Sequence, residues 1–220
     1  MDFFSRLIAL FVFIICIPIF LLVILFLFIF QGMPIFYYHE RIGLNFEKIK
    51  VIKFRTMKNN SDQVSITYYK DHRITYLGKI LRRLKLDELP QLLNIINGDM
   101  RFIGPRPEVK EYVNKNTFDF LLKVKPGLSD YASIILRNED LVLSRIKTDD
   151  PYRKVLLPLK IELTKLYVAD KSFLLDLKLV LLTIISIFLH QLSVNYLLLL
   201  LSNKLSFKTK SKIMNLLKNN

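Results

Sequence analysis

Residues 7–30 read LIALFVFIICIPIFLLVILFLFIF, an uncharged apolar run interrupted only by Pro18. As a helix the run is about 36 Å long, enough to cross the hydrocarbon core of a bilayer. A secretory signal peptide has a shorter apolar region that ends in small residues before a cleavage site. This run ends Phe28-Ile29-Phe30-Gln31-Gly32 and offers no such site, so it is expected to stay in place as an anchor. Arg41, Lys48, Lys50, Lys53, Arg55 and Lys58 follow the run closely, whereas Arg6 alone precedes it. An excess of positive charge marks the cytoplasmic side, so the main domain is expected there. Pro18 removes one backbone hydrogen bond and disfavours the helical conformation at Ile17. Two geometries follow: a kinked helix that spans, and a helix broken at Pro18 that returns to the side it entered.

The 220 residues of the whole chain leave room for one compact domain beside the anchor. The apolar excess is concentrated at the N-terminus and between about residues 173 and 201. The net charge of +14 requires an anionic partner: nucleic acid, anionic lipid or a phosphorylated substrate. An apolar anchor favours the last two. Aromatic and basic residues do not interleave in any RNA-binding signature, so no nucleic acid is expected as partner. Cys16 is the only cysteine and lies within the apolar run, which excludes a disulfide framework and a cysteine-based zinc site. His39, His72 and His190 have no ligand partners at metal spacing and read as structural or surface residues.

Along the chain, residues 31–40 read as a loop with Gly32 and Pro34, and Ile49 to Phe54 as a short strand. Residues 58–70 are polar and read as a loop. Asp71 can cap a helix whose apolar stripe is Ile74, Leu77, Leu81 and Leu84. Asp87 can cap a second, with the stripe Leu89, Leu92, Leu93 and Ile96, Pro90 in its first turn and Gly98 as its stop. A third helix is expected over about 109–122, a turn at Pro126-Gly127, and a helix over about 159–168 behind Pro158.

The chemistry centres on Asp87-Glu88. Two adjacent carboxylates at a helix start face unpaired backbone N–H groups and the positive end of the helix dipole. The same place favours phosphate oxygens. A carboxylate there can attack phosphorus and share a divalent cation with its neighbour. Taken alone, the pair reads as ordinary capping acid. Basic residues change that balance: Lys53 and Arg55 flank Phe54, and Arg82, Lys85 and Arg106 lie on either side of the pair. A diphosphate calls for such groups, arginine above all. Arg137 joins the substrate-binding candidates. Taken singly, each of these cations also fits a solvated basic face or a patch for anionic lipid.

At these residues the sequence resembles the small monotopic phosphoglycosyl transferases, bacterial sugar transferases that prime glycan assembly. The resemblance is carried by Lys53-Phe54-Arg55-Thr56-Met57, Leu86-Asp87-Glu88-Leu89-Pro90-Gln91-Leu92, Asn97-Gly98-Asp99-Met100, Ile103-Gly104-Pro105-Arg106-Pro107, Lys125-Pro126-Gly127 and Ser172-Phe173-Leu174-Leu175-Asp176-Leu177-Lys178, in that order, and extends to about residue 190. It implies that Asp87 attacks the β-phosphate of a UDP-sugar and releases UMP. Polyprenyl phosphate then attacks the phosphosugar-aspartate intermediate, the first membrane step of O-antigen, capsule, exopolysaccharide or glycoprotein synthesis. It further implies Mg2+ as cofactor with Glu88 helping to hold it, Pro105-Arg106-Pro107 against the nucleotide, and a re-entrant helix broken at Pro18.

The chain departs from the family pattern in places. Ile17 stands where a serine is usual before the proline. Ser129-Asp130-Tyr131-Ala132-Ser133 replaces the usual Gly-Trp-Ala-Gln stretch, and many members carry an acidic residue near Thr164. The expected fold is an α-rich α/β, membrane-anchored monotopic domain with short strands and amphipathic interfacial helices. Residues 1–32 are the anchor, 33–191 the cytoplasmic transferase domain and 192–220 an apolar and basic tail. The site is expected on the cytoplasmic face of the bacterial inner membrane. Phe173 to Leu201 reads as interfacial helix, with a short dip into the bilayer open at Leu197 to Leu201. Lys204, Lys208, Lys210, Lys212 and Lys218 are expected to contact anionic membrane lipid, the rival reading being a disordered basic tail. A homo-oligomer is allowed. The alternative function is a non-catalytic membrane-bound scaffold for glycan assembly, which an intact Asp87-Glu88 pair disfavours.

Overall fold

The computed structural model describes residues 2–58, 67 and 70–217, so most of the expected polar loop over 58–70 and Lys218 lie outside the described residues. The apolar run forms one helix, α1 (Asp2–Gln31). Pro18 lies inside it and does not end it: one missing amide donor is a local loss, and the turns on either side keep their bonds. Phe13 and Phe20 flank Pro18, and their ring centroids are 5.3 Å apart. Seven residues rise about 10.5 Å along a straight helix, and helical side chains all lean towards the N-terminus. The two rings lie on one face of α1 and reach towards each other along it.

That face packs on the rest of the protein. Ala9 meets Ile95 and Met100, while Phe20, Val23 and Leu27 meet Ile35, Phe54 and Leu81. Both ends of the helix are fastened as well. Arg6 Nε donates to the carbonyl of Ile96 at 2.6 Å, and Arg55 Nη2 donates to the carbonyls of Gln31 and Gly32 at 2.6 and 2.7 Å. The opposite face exposes Phe11, Ile15, Leu21, Phe28 and Ile29, an apolar surface compatible with a membrane anchor.

β1 (Phe36–Ile42) and β2 (Lys48–Phe54) form an antiparallel hairpin with Phe36 opposite Phe54 and Ile42 opposite Lys48. The strand at 36–40 replaces the expected loop, because its ladder bonds come from β2 and its own sequence does not alternate cleanly. Thr75, not Asp71, caps α2 (Tyr76–Arg83), accepting from the Gly78 amide; Asp71 is held instead by the Arg73 guanidinium. α3 (Gln91–Asn97) stops at Gly98, whose φ of 91° suits a residue without a Cβ. Asn94, buried on α3, accepts from the Ile52 amide at 3.0 Å and donates to the Lys50 carbonyl at 2.7 Å, so α3 takes the place of a third strand against β2.

β3 (Arg101–Ile103) and β4 (Gly127–Ser129) pair in parallel. Gly127 therefore opens a strand where a turn was expected. Glycine is required at this crossing: a Cβ on Gly127 would lie 2.1 Å from the Gly104 nitrogen, and one on Gly104 would lie 2.6 Å from the Lys125 carbonyl oxygen. The expected helix over 109–122 is two single 3-10 turns, Lys110–Tyr112 and Asp119–Leu122, since Phe118, Phe120 and Leu121 bury without helical spacing. α4 (Tyr131–Ile135), α5 (Glu139–Arg145) and α6 (Leu157–Asp170) follow, α6 entered through a π turn at Tyr152–Leu156.

α7 (Phe173–Phe188) is capped by Ser172, and α8 (His190–Leu200) and α9 (Phe207–Leu217) complete the chain. Leu179, Val194, Leu197, Leu201, Ile213 and Leu217 share one core with Leu163 and Tyr167. Leu197 and Leu201 are thus packed inside the protein, while Leu199 between them is exposed. Among the described residues the tail is helical over Phe207–Leu217, and three of its lysines bond to the protein: Lys204 to Asp170, Lys210 to the Ser202 carbonyl and Lys212 to the Val155 carbonyl. The architecture is helix-rich with few short strands.

Candidate active site

Asp87 and Glu88 lie in a 3-10 turn, Leu86–Glu88, one turn ahead of α3. Asp87 is therefore no helix cap, which corrects the sequence reading. Pro90 holds the capping position of α3 and its side chain offers no acceptor. The turn is set up by Lys85, which adopts the left-handed conformation with φ 57°. A lysine there is strained, and such strain collects where a loop must aim side chains.

Three separated segments converge on Glu88. Its Oε1 accepts from Arg106 Nη2 at 2.5 Å and from Lys53 Nζ at 3.1 Å, and its Oε2 accepts from Arg106 Nη1 at 3.3 Å. Lys53 is near the end of β2 and Arg106 lies in the loop after β3. The Arg106 contact is the two-pronged kind that fixes a plane as well as a distance. Arg106 Nη1 also donates to the Leu128 carbonyl at 3.0 Å, which ties the Pro105-Arg106-Pro107 loop to β4.

Burial pushes the Glu88 carboxyl up, but the charges of Arg106, Lys53 and Lys85 outweigh it and hold the group well below the carboxylate range. Arg106 is raised by the charge of Glu88 despite its own burial. Lys53 is lowered, because burial costs its ammonium more than Glu88 returns. The shortest contact of Glu88 is with Arg106, which alone reaches both of its oxygens.

Asp87 contrasts with its neighbour. It is buried, yet its Oδ1 has no hydrogen-bond partner among the described residues, and neither has Nε2 of Gln91 four positions on. An unpaired buried acceptor is costly and calls for a ligand. Mg2+ commonly takes one or two carboxylates and completes its shell with water and substrate phosphate. The donor set fits that ion: Asp87 offers a free oxygen, while both Glu88 oxygens are already engaged by cations. Among the described residues no cluster of three or more acidic, histidine or cysteine side chains makes a self-sufficient metal cage.

The other expected site residues make contacts of their own and do not touch Glu88. Arg55 fastens the C-terminal end of α1, as described above. Arg82 Nε donates to Thr56 Oγ1 at 2.9 Å. Arg137 donates to the carbonyls of Ser186 and Arg83. Pro105 and Pro107 flank Arg106 and stiffen its loop.

A second buried network escaped the sequence reading. Glu108, next after Pro107, accepts from Lys160 Nζ at 2.6 Å and lies 3.6 Å from Arg41 Nη1, and Lys160 also donates to Tyr152 Oη at 2.9 Å. Burial pushes Lys160 down, but Glu108 and Glu139 outweigh it and hold the lysine well above its usual value. The network anchors the end of the Arg106 loop to β1 and α6. Its signal was present: Lys160 and Thr164 occupy the buried stripe of Leu156, Leu159, Leu163 and Tyr167. Two departures from the family pattern also meet here, for Thr164 Oγ1 donates to Asp130 Oδ2 at 3.0 Å. The buried carboxylate at this place is that of Asp130.

The family model for bacterial sugar transferases matches residues 1–190. The chain is 39% identical over 168 residues to the exopolysaccharide production protein ExoY of Sinorhizobium fredii, covering 68% of this chain and 74% of that protein. It is 36% identical over 155 residues to the uncharacterized sugar transferase EpsL of Bacillus subtilis, covering 70% and 69%. It is also similar to the UDP-glucose:undecaprenyl-phosphate glucose-1-phosphate transferase of Escherichia coli, at 32% identity over 166 residues, 72% of this chain and 33% of that protein. With its dyad, its basic partners and the loop that carries Arg106 all in place, the chain belongs to the bacterial sugar transferase family.

Proposed function

We propose that this protein transfers a sugar-1-phosphate from a UDP-sugar to undecaprenyl phosphate and releases UMP, through a phosphosugar-aspartate on Asp87. The observation that carries the reading is the contrast within the dyad. Glu88 is locked between Arg106 and Lys53, whereas Asp87 keeps a buried oxygen without a partner. An oxygen with no competing hydrogen bond is free to attack phosphorus. The names of the relatives support the donor and acceptor classes.

In the first half-reaction Asp87 Oδ1 forms a bond to the β-phosphorus, and the bond from that phosphorus to the bridging oxygen breaks. The electron pair leaves with UMP. Arg106 and Lys53 face the charge of the diphosphate and hold Glu88 in place. Mg2+, held by the other oxygen of Asp87 with Glu88 near, would neutralise charge on the diphosphate. The expected result is UMP release from one of a panel of UDP-sugars with short polyprenyl phosphate, abolished by EDTA and restored by Mg2+. Undiminished release in EDTA would remove the metal from the scheme, and no release from any UDP-sugar would remove the donor class.

The same reading places the protein on the cytoplasmic face of the bacterial inner membrane, at the first membrane step of glycan synthesis. α1 supports a re-entrant anchor. A helix spanning perpendicular to the membrane would carry Arg6 about 35 Å from the domain, yet Arg6 and Gln31 both bond to it. With Cys16 replaced by serine, single cysteines at Phe3 and Tyr76, both well exposed, are expected to react with an impermeant maleimide only in inverted vesicles. Labelling of the position-3 cysteine in intact cells would establish a spanning helix instead.

A further inference from the structure

α7 ends at Phe188 and α8 begins at His190, with Leu189 as the corner. Both ring nitrogens of His190 are shielded from solvent, and neither has a hydrogen-bond partner among the described residues. A neutral imidazole carries one donor and one acceptor, so this ring leaves both unused. Buried polar atoms of that kind are scarce and point to a missing ligand.

Cations surround the ring. Arg137 is anchored beside it, with Nη1 on the carbonyl of Ser186, one turn before His190, and Nη2 on the carbonyl of Arg83, two residues before Lys85. Those bonds leave other guanidinium N–H groups to act as donors. Lys85 has no side-chain partner among the described residues, and its charge reaches both Glu88 and His190. Burial first, and then Arg137 and Lys85, press the His190 ring towards its neutral form. The ring thus sits neutral between two cations, with a donor and an acceptor both unused, and an anion brought there would meet two positive charges and a ring N–H.

The surface beside the cluster is apolar. Leu84, next to Lys85, and Phe188 and Leu189, next to His190, are 41%, 77% and 58% exposed. A cationic cluster with such an apron suits a phosphate that ends a hydrocarbon chain. Lys85 stands two residues before Asp87, so a phosphate held there is close to the dyad turn.

We propose that Lys85, Arg137 and His190 form the site for the phosphate of the polyprenyl acceptor, with its isoprenoid chain over Leu84, Phe188 and Leu189. This rests on the transfer reading above. In the second half-reaction a phosphate oxygen of the acceptor bonds to the phosphorus on Asp87. The bond from that phosphorus to Asp87 breaks and its electron pair returns to the carboxylate. Acceptor and enzyme exchange one phosphoryl linkage, and no proton need move. The sequence reading had set His190 aside as structural, because its partners lie about 50 and 100 residues away in the chain.

The test is binding of short-chain polyprenyl phosphate to the full chain in nanodiscs. His190→Ala is expected to weaken it about tenfold, the scale of one hydrogen bond to a charged group, and Lys85→Gln to weaken it similarly. His190→Lys, which keeps a donor, is expected to stay within about threefold. In turnover the KM for acceptor should rise with the loss of binding, and the KM for UDP-sugar should not. Three results would overturn the site: unchanged acceptor binding in both His190→Ala and Lys85→Gln; a rise confined to the donor KM, which would assign the cluster to the diphosphate; and loss of binding to phosphatidylglycerol vesicles alone, which would make it a general lipid contact. Wild-type protein that binds polyprenyl phosphate but forms no UMP would sink the transfer reading and leave the site standing.

Discussion

Asp87→Asn is expected to lower UMP release by about 10^4-fold or more, the scale seen when a nucleophile is removed, while the melting temperature moves by no more than about 2 °C. The two halves of this expectation have different origins. Activity depends on a carboxylate oxygen that can bond to phosphorus, and an amide cannot replace it. Stability does not depend on that oxygen, because Oδ1 of Asp87 makes no hydrogen bond in the folded protein. The amide has the same shape and breaks no ion pair. Intact-protein mass spectrometry provides the direct check. With UDP-sugar and Mg2+ but no acceptor, the wild type should gain the mass of a phosphosugar, and Asp87→Asn should not. A variant that still turns over, with no adduct on the wild type, would reduce Asp87 to a metal ligand or a bystander.

Glu88→Gln is expected to fail in both respects. Glu88 is the counterion of two cations, and the Arg106 contact is two-pronged. Its removal leaves Arg106 buried against a neutral amide. Breaking one side of a buried pair costs about 3–5 kcal/mol. Lys53 softens that loss, because burial already lowers it and it can release its proton. A loss near 3 kcal/mol corresponds to a fall of about 6–12 °C in melting temperature for a chain of this size. Activity should fall at least about 100-fold, since Arg106 is then free to leave the diphosphate position.

The acid limb of the stability profile gives a second check on Glu88. Its carboxyl is held well below the ordinary value in the folded protein. Its contribution is therefore complete above the unfolded value of about 4.3 and is lost as pH falls through the folded one. The wild type should lose melting temperature on acidification below about pH 5. Glu88→Gln should show a shallower fall over the same window, because it lacks that group. Equal melting temperatures for the two proteins at neutral pH would refute the ion-pair account.

The sequence by itself determined the long apolar helix, the helix-rich class and the family. An uncharged run from Leu7 to Phe30 has few ways to avoid water, and a Gly98 or a Pro158 punctuates helices through backbone geometry that needs no partner. Those signals are local, so they are legible in one dimension. The six motif stretches marked Asp87-Glu88, Lys53 and Arg106 as belonging together without giving a distance.

Tertiary structure alone decided the rest. Whether residues 36–40 form a strand depends on β2 lying beside them, and whether 109–122 forms a helix depends on which face of Phe118 to Leu121 the core accepts. Arg55 and Arg106 look alike in the sequence, each following an apolar stretch. One ends up fastening the long apolar helix, the other clamping Glu88. Their carbonyl and carboxylate partners are set by chain crossings that no local pattern encodes. The same holds for Lys160 beneath the Arg106 loop and for His190 beside Arg137. A charge acquires its role from the groups that desolvate and oppose it, and those groups are brought together only when the core closes.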